Sequence, residues 1–244
     1  MAFTNWRGVV GCIKPNLHAG STEDLIRLLP DGVGLIPLFL DLPHERGEAR
    51  LAAARTGYEE KIKVLAARKV DLILPDGTAL FMLPGVDGER DMIRRWEKRY
   101  ETPIVTSGMS LIGAMAAMEF KKVIGIRPYT WTHGAEFTLR YLAGAGFDML
   151  CVVSPEGYDY RDVQNIPSVA VYRTAKKAFL AHPEADGICI LASIMRTGDM
   201  IQTIEDDLGL PVVSALTARC WQIQKHLRIR SPLAGYGRLL RELP

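Results

Sequence analysis

Short apolar runs ending at small or polar residues alternate along this chain with segments whose apolar positions recur every three or four residues. That alternation predicts buried strands followed by amphipathic helices. Residues 8–15 read as a first strand. Ser21 opens a short helix with Leu25, Leu28 and Leu29 facing inward, and 34–40 read as a second strand. A helix over 58–69 would place Ile62, Leu65 and Ala66 inward and pair Glu59 with Lys63 outward. A strand at 70–74, a helix at 91–100, a strand at 104–106 and a helix at 107–119 follow.

The pattern then repeats. Val123-Ile-Gly-Ile-Arg-Pro echoes Val10-Gly-Cys-Ile-Lys-Pro, and Tyr129 falls where Asn16 fell. A helix at 136–143, a strand at 149–153, a helix at 169–182 and a strand at 187–191 come next. Pro211-Val-Val-Ser repeats Pro103-Ile-Val-Thr, and a helix carrying Trp221 follows it. The offset stays near about 110 residues, which suits two halves of one unit rather than a solenoid. The expected fold is therefore α/β: two pseudo-symmetric halves, each a parallel sheet flanked by helices, with a ligand cleft between them. The expected division is 1–106 plus 215–244 for the first half, with a C-terminal helix returning to it, and 107–214 for the second.

Composition narrows the function. A net charge of +2 gives no case for a nucleic-acid partner, and the basic stretch 90–99 is interrupted by Asp91 and Glu97, as a solvated helix face would be. No stretch approaches a membrane span, and none has the build of a secretory signal, so no membrane partner is expected. Cys12, Cys151, Cys189 and Cys220 lack metal-ligand or redox spacing and sit mostly in apolar runs, which suggests reduced thiols and a cytoplasmic protein. The five histidines form no metal pattern, and no cofactor is expected. Homo-oligomer assembly is left open.

Ligands of open α/β sheets sit at the carboxyl ends of strands. The loops that would converge there are Pro15-Asn16, residues 76–79, Tyr129 and residues 192–197. Gly77, Thr78 and Ala79 suit close approach of backbone N–H groups to an anion, although a plain Asp-Gly turn explains the same residues. Ala192 and Ser193, at the matching place in the other half, turn one small-residue loop into a cradle for a carboxylate or enolate. Tyr129 could add a phenolic donor. Lys14 and Arg127 end their strands as cations that could attract an acid. His18 and His133 read as ordinary loop residues, and Met109 and Met115 as core. Residues 42–55 read as either a lid or a simple connection.

At these residues the chain resembles the aspartate/glutamate racemase superfamily, in the branch of arylmalonate decarboxylase and maleate cis-trans isomerase. The resemblance rests on Asp186-Gly-Ile, Leu208-Gly-Leu-Pro-Val-Val-Ser, Gly235-Tyr-Gly-Arg-Leu, Pro15-Asn16, Gly77-Thr78 and Tyr129. It implies two halves enclosing a small carboxylate without metal or organic cofactor, with cysteine as acid, base or nucleophile. It also implies an oxyanion cradle, here Thr78, Ala79, Tyr129, Ala192 and Ser193. The two cysteine positions fall on Gly77 and on Ala192 or Ser193, so the cysteine chemistry does not transfer. Cys189 lies inside its strand and should not reach the cleft.

Three accounts follow. The first is a cofactor-independent lyase or isomerase working through an enolate-type intermediate. In it Asp76 moves the proton, its pKa raised by an apolar cleft, Ser193 is second in line, and Thr78, Tyr129 and Ser193 hold charge. In the second, anion stabilisation alone suffices and water protonates the product. The third is an inactive protein that binds a small carboxylate. An amino-acid or hydantoin racemase is a further alternative.

Overall fold

In a computed structural model of the chain, residues 5–15, 20–42, 48–128, 134–158, 163 and 165–244 are described, with backbone alone at 48–52, 78–79 and 134–135. Asn16, His18, Tyr129 and His133 lie outside them. Two parallel sheets form the frame. The first has order β2-β1-β3, from β1 (Gly8–Lys14), β2 (Val33–Phe39) and β3 (Leu72–Pro75). The second has order β5-β4-β6-β7, from β4 (Lys122–Ile126), β5 (Asp148–Val153), β6 (Gly187–Ile190) and β7 (Val212–Ser214). Every pairing is parallel, as strand–helix alternation requires.

Period-two alternation sets the faces. On β1, Ile13 turns outward onto Ile62 and Leu65 of α2 (Glu48–Ala67). Val10 turns inward, into a core shared by both sheets: Leu72 and Leu74, Val123, Cys189 and Val213. Two helices fill that core, α5 (Ser107–Ala117) with Leu111 and Met115, and α9 (Ala215–His226) with Ala218 and Trp221. The outer face of the second sheet, Ile124, Ile126, Ile188 and Ile190, is covered by α7 (Ser168–Ala181) and α8 (Ile201–Leu208). The remaining helices are α1 (Ser21–Leu28), α3 (Thr78–Met82), α4 (Gly85–Tyr100), α6 (Gly134–Gly144) and α10 (Arg238–Glu242).

The repeat extends to individual hydrogen bonds. Asp76 N donates to Ile13 O, as Leu191 N does to Ile126 O, each at 2.8 Å. Asp71 accepts from Val9 N as Asp186 accepts from Lys121 N and Lys122 N. Glu97 accepts from Ile104 N as Glu205 accepts from Val212 N. Thr106 caps α5 as Ser214 caps α9, each accepting from the amide three residues on. These pairs place Lys14 opposite Arg127, Asp76 opposite Leu191, and Arg219 opposite Leu111.

Three local expectations change. Residues 104–106 are no strand: Ile104 makes one isolated bridge to Ile73, and Thr106 is consumed as a helix cap. Helix α2 starts at Glu48, so residues 48–55 are helix rather than a plain connection; the run Ala52-Ala53-Ala54 favours helix. Glu59 turns from Lys63 to Arg99 and the Tyr100 hydroxyl, because α4 packs on α2.

Candidate active site

The inward face of β1 runs Val10, Cys12, Lys14, so the last inward side chain is a cation buried to 2% exposure. Its Nζ donates to Asp76 Oδ2 at 2.5 Å, just past the end of β3. Arg219 comes from α9, wholly buried, and its Nη1 donates to the same oxygen at 2.8 Å while its Nε donates to Ala215 O at 3.1 Å. Ser193 Oγ crosses from the second half to Asp76 Oδ2 at 3.2 Å, and Gly77 N donates to Oδ1 at 2.9 Å. Asp76 is thus the hub of the cluster.

Its ionisation follows. Burial alone would push the Asp76 carboxyl up, but the Arg219 guanidinium, the Lys14 ammonium and the hydrogen bonds of Lys14 and Gly77 N outweigh it. They hold it well below the usual carboxylate range. The expectation of a raised pKa is corrected: the surroundings of Asp76 are cationic rather than apolar. A carboxylate this acidic is a poor proton donor or acceptor near neutral pH, which argues against the proton-moving role expected of Asp76.

Gly77 is fixed by its surroundings. Its φ is +117°, and a Cβ there would lie 2.6 Å from the Tyr58 hydroxyl and 3.0 Å from Pro15 Cγ. That hydroxyl donates to the Asp76 carbonyl. A side chain at this position would crowd the Tyr58 hydroxyl and hold a backbone conformation that residues other than glycine rarely adopt. Pro15 is buried beside it. The backbone of Thr78 and Ala79 opens α3, directly after Gly77. Ala192 and Ser193 are half-buried after β6. Cys189 stays inside its strand, fully buried, where burial pushes its thiol up to about 12.

Of the residues expected at the site, the structure joins Asp76 to Ser193 and Gly77 to Pro15; Asn16 and Tyr129 lie outside the described residues. Arg219 and Tyr58 were not anticipated from the sequence. Arg219 left a signal: it is a charge on the stripe Ala215, Arg219, Ile223 that otherwise faces the core. Among the described residues, no group of side chains suits a metal ion, and no helix is long and apolar enough to cross a membrane.

A two-half α/β fold with strand-end loops of both halves on one carboxylate is a recognisable class, and comparison with known proteins places the chain in it. Residues 53–240 match the family model of arylmalonate decarboxylase, and the chain belongs to that family. It is similar to the arylmalonate decarboxylase of Bordetella bronchiseptica, 24% identical over 93% of this chain and 100% of that one. It is 30% identical to the maleate isomerase of Nocardia farcinica over 56% of this chain, a match spanning 54%, about half, of that relative. The solved Nocardia farcinica maleate cis-trans isomerase bound to TRIS superposes with a TM-score of 0.85 at 22% identity, over 96% of this chain and 98% of that one. The family's named members are a decarboxylase and an isomerase, that is, enzymes.

Proposed function

We propose that this protein is a cofactor-independent decarboxylase or isomerase acting on a small carboxylic or dicarboxylic acid through an enolate-type intermediate, without cysteine in its two strand-end loops. The observation that carries the reading is the Ser193–Asp76 hydrogen bond, which brings the catalytic loops of both halves to one point. Two relatives add support from their own ligands. A Nocardia farcinica maleate isomerase variant carries a covalently bound succinylcysteine intermediate, and a Pseudomonas putida isomerase variant was solved with maleate.

Within this reading decarboxylation is preferred to isomerisation. Isomerisation through a covalent intermediate needs an activated nucleophile, and Ser193 donates its proton toward a carboxylate too acidic to remove it. Decarboxylation needs only that the electron pair of the breaking C–C bond be accepted by the retained carboxyl group. The resulting enediolate is held by the backbone N–H groups after Gly77 and by Ser193 Oγ, which turns its one O–H from Asp76 to the ligand, and water then protonates the carbon. Asp76 fixes Lys14, Arg219 and Ser193 and moves no proton. The same lack of a titrating acid in the cluster supports a second reading, a protein that binds a small acid and leaves it unchanged.

Proton NMR in deuterated buffer with aryl- and alkylmalonates and maleate tests both. Loss of a carboxyl group with deuterium at the α-carbon is the expected result. Line broadening without any product would favour the binding protein instead.

A further inference from the structure

The Asp76 cluster does not balance. Lys14 and Arg219 bring two positive charges, and among the described residues Asp76 is the one carboxylate that pairs with either. Arg219 is wholly buried, and among the described residues its Nη2 has no hydrogen-bond partner. The neighbouring Cys12 thiol does not supply the missing charge, because burial pushes it up more than Arg219 and Lys14 pull it down. A buried guanidinium with an idle fork nitrogen, sharing its one carboxylate with a lysine, is costly to keep. The second half buries Leu191 and Leu111 where the first has Asp76 and Arg219, and keeps a buried cation, Arg127, opposite Lys14, so the repeat does not require the Asp76–Arg219 pair.

We propose that Lys14 and Arg219 form a built subsite for one carboxylate of the ligand, entering past the half-buried Ser193 and Gly77, so that the ligand restores the neutrality the cluster lacks. This rests on the reading of the cleft as a small-acid site and assigns its charge selectivity. A guanidinium with a free nitrogen beside an ammonium matches the two oxygens of a carboxylate. With a retained carboxylate seated on the pair, one of its oxygens facing Ser193 and the N–H groups after Gly77, negative charge would grow beside both cations as a malonate-type dianion loses carbon dioxide. A dicarboxylate is therefore preferred to the corresponding monoacid.

Titration calorimetry of the full chain with malonate, and with propionate as the monoacid, tests this. The comparison variant is Arg219→Leu, which copies Leu111 and leaves Lys14 and Asp76 as a balanced pair. Malonate is expected to bind the wild type more tightly than propionate, with affinity that falls as salt rises, and to lose roughly 10- to 100-fold in Arg219→Leu. Equal affinity in the two proteins, or no malonate binding by the wild type, overturns the subsite. Should Arg219→Leu fail to fold, the guanidinium resonances of ¹⁵N-arginine-labelled wild type decide: a shift of Arg219 on adding malonate supports the subsite, and an unmoved signal at saturation overturns it. Turnover is followed in the same samples. Turnover with Arg219 unperturbed sinks the subsite and spares the proposed reaction, whereas binding at Arg219 without turnover does the reverse.

Discussion

The carboxyl ends of β3 and β6 occupy the same place in the two halves, make the same backbone hydrogen bonds, and carry opposite chemistry. In the first half the strand end is Asp76, met by Lys14 and by Arg219 from the crossing helix. In the second, Leu191 stands at that place with Leu111 on the matching helix, inside the shared core. Leu191 and Leu111 show that the scaffold does not require the Asp76–Arg219 pair at this place, although a buried cation, Arg127, stands opposite Lys14. Burying ions in place of leucines gains little stability, since desolvation consumes most of the mutual attraction. The charged version departs from the repeat, and the proposed subsite puts the ligand's charge on that half.

Asp76→Leu breaks the comparison hardest. It leaves two buried cations without a counter-ion and should lower the unfolding free energy by about 3–5 kcal/mol, measured by denaturant titration. Arg219→Leu sharpens it, because this change copies the second half and removes the surplus charge. It should cost under about 1 kcal/mol, or stabilise, while ligand binding falls. A loss from Arg219→Leu as large as that from Asp76→Leu would mean the cluster is structural. In wild type, the depressed pKa of Asp76 means its contribution is present above the unfolded-state value, near 4, and fades only as pH falls well below it.

The halves meet at a second buried carboxyl with the opposite electrostatics. Glu89 of α4 accepts from Thr106 Oγ1 at 2.5 Å and from the Tyr141 hydroxyl of α6. No cation is bonded to it among the described residues, and burial lifts its pKa to about 7 against these hydrogen bonds. A folded pKa above the unfolded one contributes stability that is complete below the unfolded value, near 4.5, and lost as pH rises through about 7. The wild type should lose about 3 kcal/mol from this group between pH 5 and pH 8. Glu89→Gln should flatten that slope in thermal or denaturant melts. A slope unchanged by Glu89→Gln would show that the carboxyl does not titrate there.

Much of this was legible in the sequence, and unevenly so. The strands, the two halves and the cleft loops follow from apolar runs and their echo, because backbone periodicity is local. Asp76 and Ser193 could be placed at the cleft for the same reason. The ionisation of Asp76 could not, since it depends on Arg219, far away in sequence and brought near by a helix crossing between halves. Gly77 reads as a turn in the sequence, and the Tyr58 hydroxyl, far off in sequence, shows why a side chain there would be crowded. Arg219 was the one legible clue passed over, a cation on a core-facing stripe.

Ser193→Ala should have the smallest effect on stability and still separates the two roles that hydroxyl could fill. Its bond to Asp76 Oδ2 is long at 3.2 Å and half-buried, and Asp76 keeps Lys14, Arg219 and Gly77 N when it goes. The cost to folding should be only about 0.5–1.5 kcal/mol. If Ser193 does no more than tie the halves together, turnover should follow that small change. If it holds the enediolate, removing one donor from the cradle should lower kcat by roughly 10²–10³-fold with little change in KM. A kcat within a factor of two of wild type would remove Ser193 from the chemistry and leave the charged half, Lys14 and Arg219 above all, to stabilise the intermediate alone.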